Sequence, residues 1–138
     1  MLHQRLIHPT ILESLASAGH GAKILITDGN YPSSTCLGEN ADLVYLNLAP
    51  GKPTVTEVLD VLLSAVPVED AAVMTPDDGT EPHIFQEFRA LLPNIELTRY
   101  DRFEFYEEAS GPDTCLQIVT GEQRLYANIL LTIGVIAP

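Results

Sequence analysis

The sequence has few basic residues, few cysteines and no long apolar run, and each shortage excludes a class of protein. Lysine and arginine together number 7 against 19 acidic residues, which gives a net charge of -12. A surface that binds nucleic acid needs a basic footprint, so neither nucleic acid nor an anionic membrane is an expected partner. The two cysteines, Cys36 and Cys115, are too few for a disulfide framework and are expected to be free thiols. No apolar stretch reaches the length of about 20 residues that spans a membrane.

The beginning of the chain lacks the long apolar core and the small-residue cleavage site of a signal peptide. A cytoplasmic location is therefore expected. The 138 residues, 46% of them hydrophobic, are enough for one domain with one core, and residues 1–138 are expected to form it. The net negative charge of the chain does not oppose the binding of an uncharged ligand.

The sequence also lacks the spacings that hold metals and cofactors. No histidine pairs with another histidine, a cysteine or a carboxylate at metal-ligand spacing. The histidines are His3, His8, His20 and His83. The Gly-His-Gly sequence at residues 19–21 follows a predicted helix and precedes a predicted strand, the reverse of the dinucleotide fingerprint. Gly51 and Lys52 lack the upstream glycine of a phosphate-binding loop. Neither a metal nor a cofactor is expected.

Predicted helices alternate with short apolar strands along the chain. Helices are expected to begin at Pro9, Thr54, Pro82 and Arg102, and to end at Gly19, before Pro67, at Pro93 and at Tyr106. Strands are expected at residues 23–27, 41–48, 70–74, 95–98, 114–119 and 127–132. This alternation predicts an α/β domain of three layers, with a mostly parallel sheet that is mixed at its last strands.

Two polar residues flank the apolar strand at residues 23–27, and their separation poses a geometric problem. His20 lies before the strand and Asp28 after it. At about 3.3 Å per residue, a straight strand holds the two backbones roughly 25 Å apart. One site could use both only if the chain curved or a second subunit supplied one of them. Taken alone, His20 could instead bond the last carbonyls of the first helix, and Asp28 could simply begin a turn.

Further polar candidates lie towards the end of the chain. Tyr126 and Asn128 are two residues apart at a predicted strand start, which places them on one face of the strand. Their phenol and amide could bind one polar ligand, or could be a rim tyrosine and a turn asparagine. Arg102 lies among aromatic residues and could bind a ligand or merely cover apolar rings.

Four ordered blocks together resemble the fucose mutarotase and ribose pyranase (FucU/RbsD-like) family over nearly the whole chain. The blocks are His8-Pro9 with the helix into residues 19–21, then residues 28–32, then residues 102–107, and last residues 120–122 with 126–131. The Arg-Phe-x-Phe-Tyr-Glu block resembles the fucose branch, whereas the ribose branch tends to carry histidine at the position of Arg102. Ala127 between Tyr126 and Asn128 occurs in the ribose branch.

The resemblance implies an RbsD-like fold and a cofactor-free isomerase that interconverts the α and β anomers of a free monosaccharide. It also implies a homo-oligomer, typically a decameric ring, whose sites are completed by a neighbouring subunit. His20 matches the family's catalytic acid. Asp28, Arg102, Tyr126 and Asn128 match its sugar-binding positions, and Tyr126 is expected to assist proton transfer at the anomeric end.

L-fucose is the sugar expected from the arginine-containing block, and three alternatives stay open at this stage. A D-ribose pyranase would accelerate ribose exchange instead. A sugar-binding or transport-accessory protein would bind sugar without accelerating anomer exchange. A purely structural ring would have no affinity for sugar.

Overall fold

The computed structural model describes all residues 1–138 and contains four helices and one six-stranded sheet. The strands are β1 (Lys23–Thr27), β2 (Asp42–Tyr45), β3 (Val68–Met74), β4 (Leu97–Tyr100), β5 (Thr114–Val119) and β6 (Ile129–Ile133). The helices are α1 (Pro9–Ser17), α2 (Val55–Leu62), α3 (Ile84–Leu91) and α4 (Arg102–Ala109).

The sheet has the order β2-β5-β1-β6-β3-β4. Strand β6 runs antiparallel to both of its neighbours, β1 and β3, and the remaining pairs are parallel. Five strands therefore end at the same edge of the sheet, and β6 begins there. We call this the carboxyl edge. Because the loops of one edge converge, side chains distant in sequence can meet at it. The expected α/β fold, mostly parallel and mixed at a late strand, is confirmed.

Helices cover both faces of the sheet, as the continuous apolar run of β1 predicts. Ile24 and Ile26 face the larger core, in which helices α1, α2 and α3 pack, and Leu25 faces a smaller core with Phe105 of α4. All three β1 side chains are fully buried. Alternate residues of one strand point to opposite faces, so a run with no polar position requires a layer on each side. The three-layer prediction is therefore correct.

The residues at the helix starts begin and cap the helices as the sequence predicts. Pro9 occupies the first turn of α1. Thr54 and Glu57 form the predicted capping box of α2, and Asp101 forms a second such box at α4. The expectation for Gly19 is wrong: α1 ends at Ser17, the next residue Ala18 is already extended, and the left-handed glycine is Gly21, with φ of 83°. Ala18 needs no glycine after it because its own N–H bonds the carbonyls of residues 14 and 15.

Strand and helix lengths differ from the predictions where packing decides them. Helix α4 continues to Ala109, because Phe105 and Ala109 lie one turn apart and are both fully buried. Strand β2 is shorter than the predicted 41–48, and its position at the sheet edge gives it only one partner, β5. Strand β6 begins two residues later than predicted, for a reason given below.

Both cysteines are free, as expected. None of the helices has the length and apolar character needed to cross a membrane.

Candidate functional site

The carboxyl edge gathers four of the five residues that the sequence singles out. Asp28 follows β1, Arg102 follows β4, and Tyr126 and Asn128 precede β6. His20 lies at the opposite edge, before β1 begins. The fold therefore separates the expected acid–base histidine from the expected sugar-binding residues of the same chain.

Asp28 and Asn128 form a buried, reciprocal pair, and each is 3% exposed. The Asp28 backbone N–H donates to Asn128 Oδ1 at 2.9 Å, and Asn128 Nδ2 donates to Asp28 Oδ2 at 3.1 Å. Asp28 Oδ1 accepts from the Asn30 N–H at 2.9 Å, which is the turn-initiating bond considered for this aspartate. The pair joins the end of β1 to the start of β6. The second Nδ2 proton of Asn128 has no acceptor within the chain.

The environment of Asp28 favours its neutral form relative to an exposed aspartate. Burial raises the pKa of the Asp28 carboxyl, and the hydrogen bonds from Asn30 and Asn128 only partly oppose that rise. Asp28 orients the Asn128 amide, whose Nδ2 donates to its carboxylate.

Tyr126 lies in a turn rather than on a strand, which corrects the expectation that Tyr126 and Asn128 share a strand face. Its backbone φ is 60°, in the left-handed region that a non-glycine residue seldom adopts. This conformation ends the extended backbone, so the two-residue alternation does not apply and β6 begins only at Ile129. Asn128 turns inward to Asp28, while the Tyr126 ring packs half-buried against the smaller core. Backbone strain of this kind is common at functional sites.

A cavity of about 630 Å³ lies beside Tyr126, between the loop after β3 and the loop before β6. This volume is within the about 300–1,000 Å³ usual for small-molecule sites. Of the five predicted residues only Tyr126 lines the cavity. The remaining lining residues are Pro76, Asp77, Asp78, Thr80, Pro82, His83, Ile84, Arg124 and Leu125. No sequence pattern singles out any of these as a site residue.

Arg102, the first residue of α4, lies near Tyr126 and Asp77. The pKa of its guanidinium is raised, first by the hydrogen bond to Tyr106 and to a smaller extent by Tyr126 and Asp77. Arg102 also packs over the rings of Phe103 and Tyr106, at 5.8 and 5.6 Å from the ring centroids. Ring packing was one of the two roles open to this arginine. Its guanidinium remains exposed and can still donate to a ligand.

His20 is exposed at the opposite edge and bonds a carboxylate. Its Nε2 lies 3.0 Å from both Glu69 Oε1 and Glu69 Oε2, and Glu69 belongs to β3. The histidine therefore does not bond the last carbonyls of α1. Strand β1, five residues long, separates His20 from Asp28 by about 16 Å on its own. The chain does not curve to bring the two together.

Glu122 is a buried carboxylate that sequence reasoning did not identify as part of the site. It is 3% exposed and accepts from Val55 N at 3.3 Å, from Arg124 N and Nε at 3.0 Å each, and from Arg124 Nη2 at 2.8 Å. Its carbonyl accepts from Gly29 N at 2.9 Å. Glu122 thus ties α2 and the turn after Asp28 to the loop that carries Tyr126. The Thr-Gly-Glu block that contributes to the family resemblance was the available signal.

Acid is expected to remove the stabilisation that Glu122 provides. Burial raises its pKa, but hydrogen bonds and charge from Arg124 lower it further, so the folded-state pKa lies below the usual glutamate value. The carboxylate then stabilises the fold above the unfolded pKa of about 4.3, and that stabilisation is lost as pH falls through the lower folded pKa. Urea unfolding across about pH 3 to 7 should show a wild-type advantage over Glu122→Gln that shrinks below about pH 4.

Asp28 acts in the opposite direction and provides the control for that titration. Its folded pKa is raised, so it destabilises the fold at neutral pH and less so in acid. Asp28→Asn should therefore change the pH dependence of the unfolding free energy over a different pH range from Glu122→Gln. A gap between wild type and Glu122→Gln that stays constant with pH would contradict the role given to the Glu122 charge.

Comparison with known proteins covers almost the whole chain. Residues 1–136 match the model of the RbsD / FucU transport protein family. The human protein named fucose mutarotase is 31% identical over 147 residues, which cover 96% of this chain and 91% of that protein.

No group of three or more histidine, cysteine, aspartate or glutamate side chains lies close enough together to hold a metal ion.

Two solved structures share the fold over nearly all residues. The fucose mutarotase from Streptococcus pneumoniae, solved in complex with L-fucose, is 29% identical with a TM-score of 0.85, and covers 99% of this chain and 100% of its own. Bacillus subtilis RbsD, solved in complex with D-ribose, is 25% identical with a TM-score of 0.85, and covers 99% of both chains.

Proposed function

The chain belongs to the RbsD/FucU family, and we propose that it is a monosaccharide mutarotase that interconverts the α and β anomers of free L-fucose. The main support is the end-to-end likeness to a fucose mutarotase that binds L-fucose. Arg102 at the carboxyl edge, beside Tyr126, adds to that support. D-ribose is the second candidate, because the ribose-bound relative has the same TM-score and Ala127 follows the ribose pattern.

Mutarotation requires one proton to leave the anomeric hydroxyl and one to reach the ring oxygen. The ring then opens, the aldehyde rotates, and closure on its other face returns both protons. No atom or electron is gained or lost. A histidine suits this task because its pKa lies near operating pH, and such acid–base help is worth about 10²- to 10⁴-fold.

We assign the ring-oxygen proton to His20 and assistance at the anomeric hydroxyl to Tyr126. Arg102 and Asn128 hold sugar hydroxyls in this proposal. Asp28 fixes the direction of the Asn128 amide through the bonds described above. The Glu69 carboxylate, within hydrogen-bond distance of His20 Nε2, holds the imidazole in place.

A second copy of the chain must supply His20, because each chain holds it at the edge opposite to Tyr126. We therefore propose a cytoplasmic homo-oligomer, a decameric ring as in the resembling family, with each site shared between copies. Exposed apolar side chains near the cavity and at the chain end, Leu125, Val135 and Ile136, are consistent with surfaces that copies cover. Native mass spectrometry at micromolar concentration measures the assembly, and a monomer would contradict the shared site.

Anomer exchange followed by saturation-transfer NMR tests the activity, with L-fucose and D-ribose measured side by side. We expect faster exchange of L-fucose in proportion to protein concentration. Faster exchange of ribose alone would assign the protein to the pyranase branch despite Arg102. A folded oligomer that binds sugar in an NMR titration but accelerates neither exchange would be a binding protein rather than an enzyme.

A further inference from the structure

We propose that Asp77 is a specificity-determining residue of the sugar site: it accepts a hydrogen bond from a sugar hydroxyl that Arg102 also holds, and it excludes sugars that carry a phosphate or a carboxylate. The inference rests on the proposed function, because it concerns the same cavity beside Tyr126. It adds the loop after β3 to the parts of the chain that select the ligand.

Strand pairing brings Asp77 close to Arg102. Strands β3 and β4 are parallel neighbours, and Met74 at the end of β3 pairs with Tyr100 at the end of β4. Asp77 lies three residues after Met74, and Arg102 lies two residues after Tyr100. The N–H and the hydroxyl of Thr75 both donate to the Tyr100 carbonyl, each at 2.9 Å, and hold the two strand ends together. Both charged side chains therefore leave the carboxyl edge from backbone that is fixed.

Asp77 is the free carboxylate among the charged side chains that line the cavity. Asp78 accepts hydrogen bonds from the N–H and the hydroxyl of the threonine two residues later, at 2.9 and 2.7 Å. Arg124 forms ion pairs with two carboxylates, those of Glu122 and Glu87. Asp77 itself has no hydrogen-bond or ion-pair partner within the chain. A ligand in this cavity therefore meets a negative charge that no cation of the cavity wall neutralises.

A hydroxyl group fits the space between Asp77 and Arg102, and an anionic group does not. The two side chains form no ion pair, yet they lie near enough for the Asp77 charge to contribute to the raised pKa of Arg102. The guanidinium only donates hydrogen bonds, and the ionised carboxylate only accepts them. One sugar hydroxyl can accept from Arg102 and donate to Asp77. An ionised phosphate or carboxylate has no proton to donate and would bring a second negative charge beside Asp77.

The first test is inhibition of L-fucose exchange by L-fucose 1-phosphate, which keeps the sugar ring and carries its charge on the anomeric oxygen. Tyr126, assigned above to the anomeric hydroxyl, lines the same cavity as Asp77, so the phosphate would lie near this carboxylate. Methyl L-fucoside is blocked at the same oxygen but uncharged, and it is the reference ligand.

We expect Asp77→Asn to lower the inhibition constant of the phosphate at least about tenfold, because a nearby like charge is removed. The constant of the methyl fucoside should change by less than about threefold. Glu13→Gln is the matched control, since it removes one negative charge from an exposed position of α1, and neither constant should change. An Asp77→Asn protein that excludes the phosphate as strongly as wild type does would overturn the proposal.

The second test separates the hydrogen bond of Asp77 from its charge. Asp77→Ala removes both, and KM for L-fucose should rise about tenfold while kcat changes by less than about twofold. Asp77→Asn keeps an acceptor oxygen, so its KM should lie between those of wild type and Asp77→Ala. Asp77 is exposed on a loop, and thermal unfolding of both variants should stay near the wild-type temperature. A wild-type KM in Asp77→Ala would contradict the hydrogen bond to the sugar.

Dissociation constants from NMR titration of the same proteins keep this proposal separate from the proposed activity. Wild type that binds L-fucose but accelerates no exchange refutes the mutarotase, and exclusion of the phosphate is then judged on dissociation constants. A gain of affinity for L-fucose 1-phosphate in Asp77→Asn would still support Asp77 as a specificity-determining residue of a binding site. Absence of L-fucose binding by wild type would overturn both proposals.

Discussion

Replacing His20 with alanine is expected to slow sugar anomer exchange by about 10²- to 10⁴-fold, with sugar affinity nearly unchanged. The side chain is exposed and its hydrogen-bond partner is Glu69, so its removal should leave the fold intact. Saturation-transfer NMR gives the rate, and an NMR titration gives the affinity. His83→Ala is the informative comparison, because His83 lines the cavity beside Tyr126 in the same chain. Loss of exchange in His83→Ala with full exchange in His20→Ala would move the acid–base role to His83.

Mixed oligomers test whether one site uses two copies of the chain. His20→Ala and Tyr126→Phe subunits should each exchange sugar slowly when assembled alone. When they are unfolded, mixed in equal amounts and refolded together, about a quarter of the shared sites should hold both native side chains and regain activity. Refolding each variant alone is the control. Mixtures no more active than the separate variants would place both residues in one chain's site, or His20 in none.

Much of the fold can be predicted because its local signals agree with its packing. The uninterrupted Ile24–Ile26 run requires cover on both faces, and the structure supplies it. The capping boxes at Thr54 and Asp101 determine where two helices begin. Strand ends are harder to predict, since a partner strand or a single residue decides them. The left-handed Tyr126 moves the start of β6, and no propensity signals this conformation for a tyrosine.

The site is less predictable, because it depends on loops that meet only in the folded chain. The two-residue spacing of Tyr126 and Asn128 predicts a shared face, but the amide turns to Asp28, 100 residues away in sequence. From the sequence alone Glu122 is an ordinary polar loop residue. Its role depends on contacts with α2 and with the turn after β1, which only the structure shows. The separation of His20 from Asp28 could be foreseen, since strand length alone dictates it.

Gly121→Ala is expected to destabilise the protein by about 3 kcal/mol and lower its unfolding temperature by roughly 10 °C. The loop of residues 49–53 lies directly against Gly121, whose N–H donates to the Pro53 carbonyl at 3.0 Å. A β-carbon there would lie 2.8 Å from the Lys52 carbonyl carbon and closer still to the carbonyl oxygens of Ala49 and Lys52. All three are backbone atoms, so no side chain can rotate away to relieve the overlap.

Gly19→Ala is the matched control, because a β-carbon at Gly19 meets nothing within 4 Å and its unfolding temperature should stay near that of wild type. Urea unfolding of both variants provides the comparison. Gly121→Ala should also weaken sugar exchange in the protein that remains folded, since Glu122 follows directly and holds the loop of Tyr126 in place. Equal stability of the two variants would mean that the 49–53 loop moves freely away from β5.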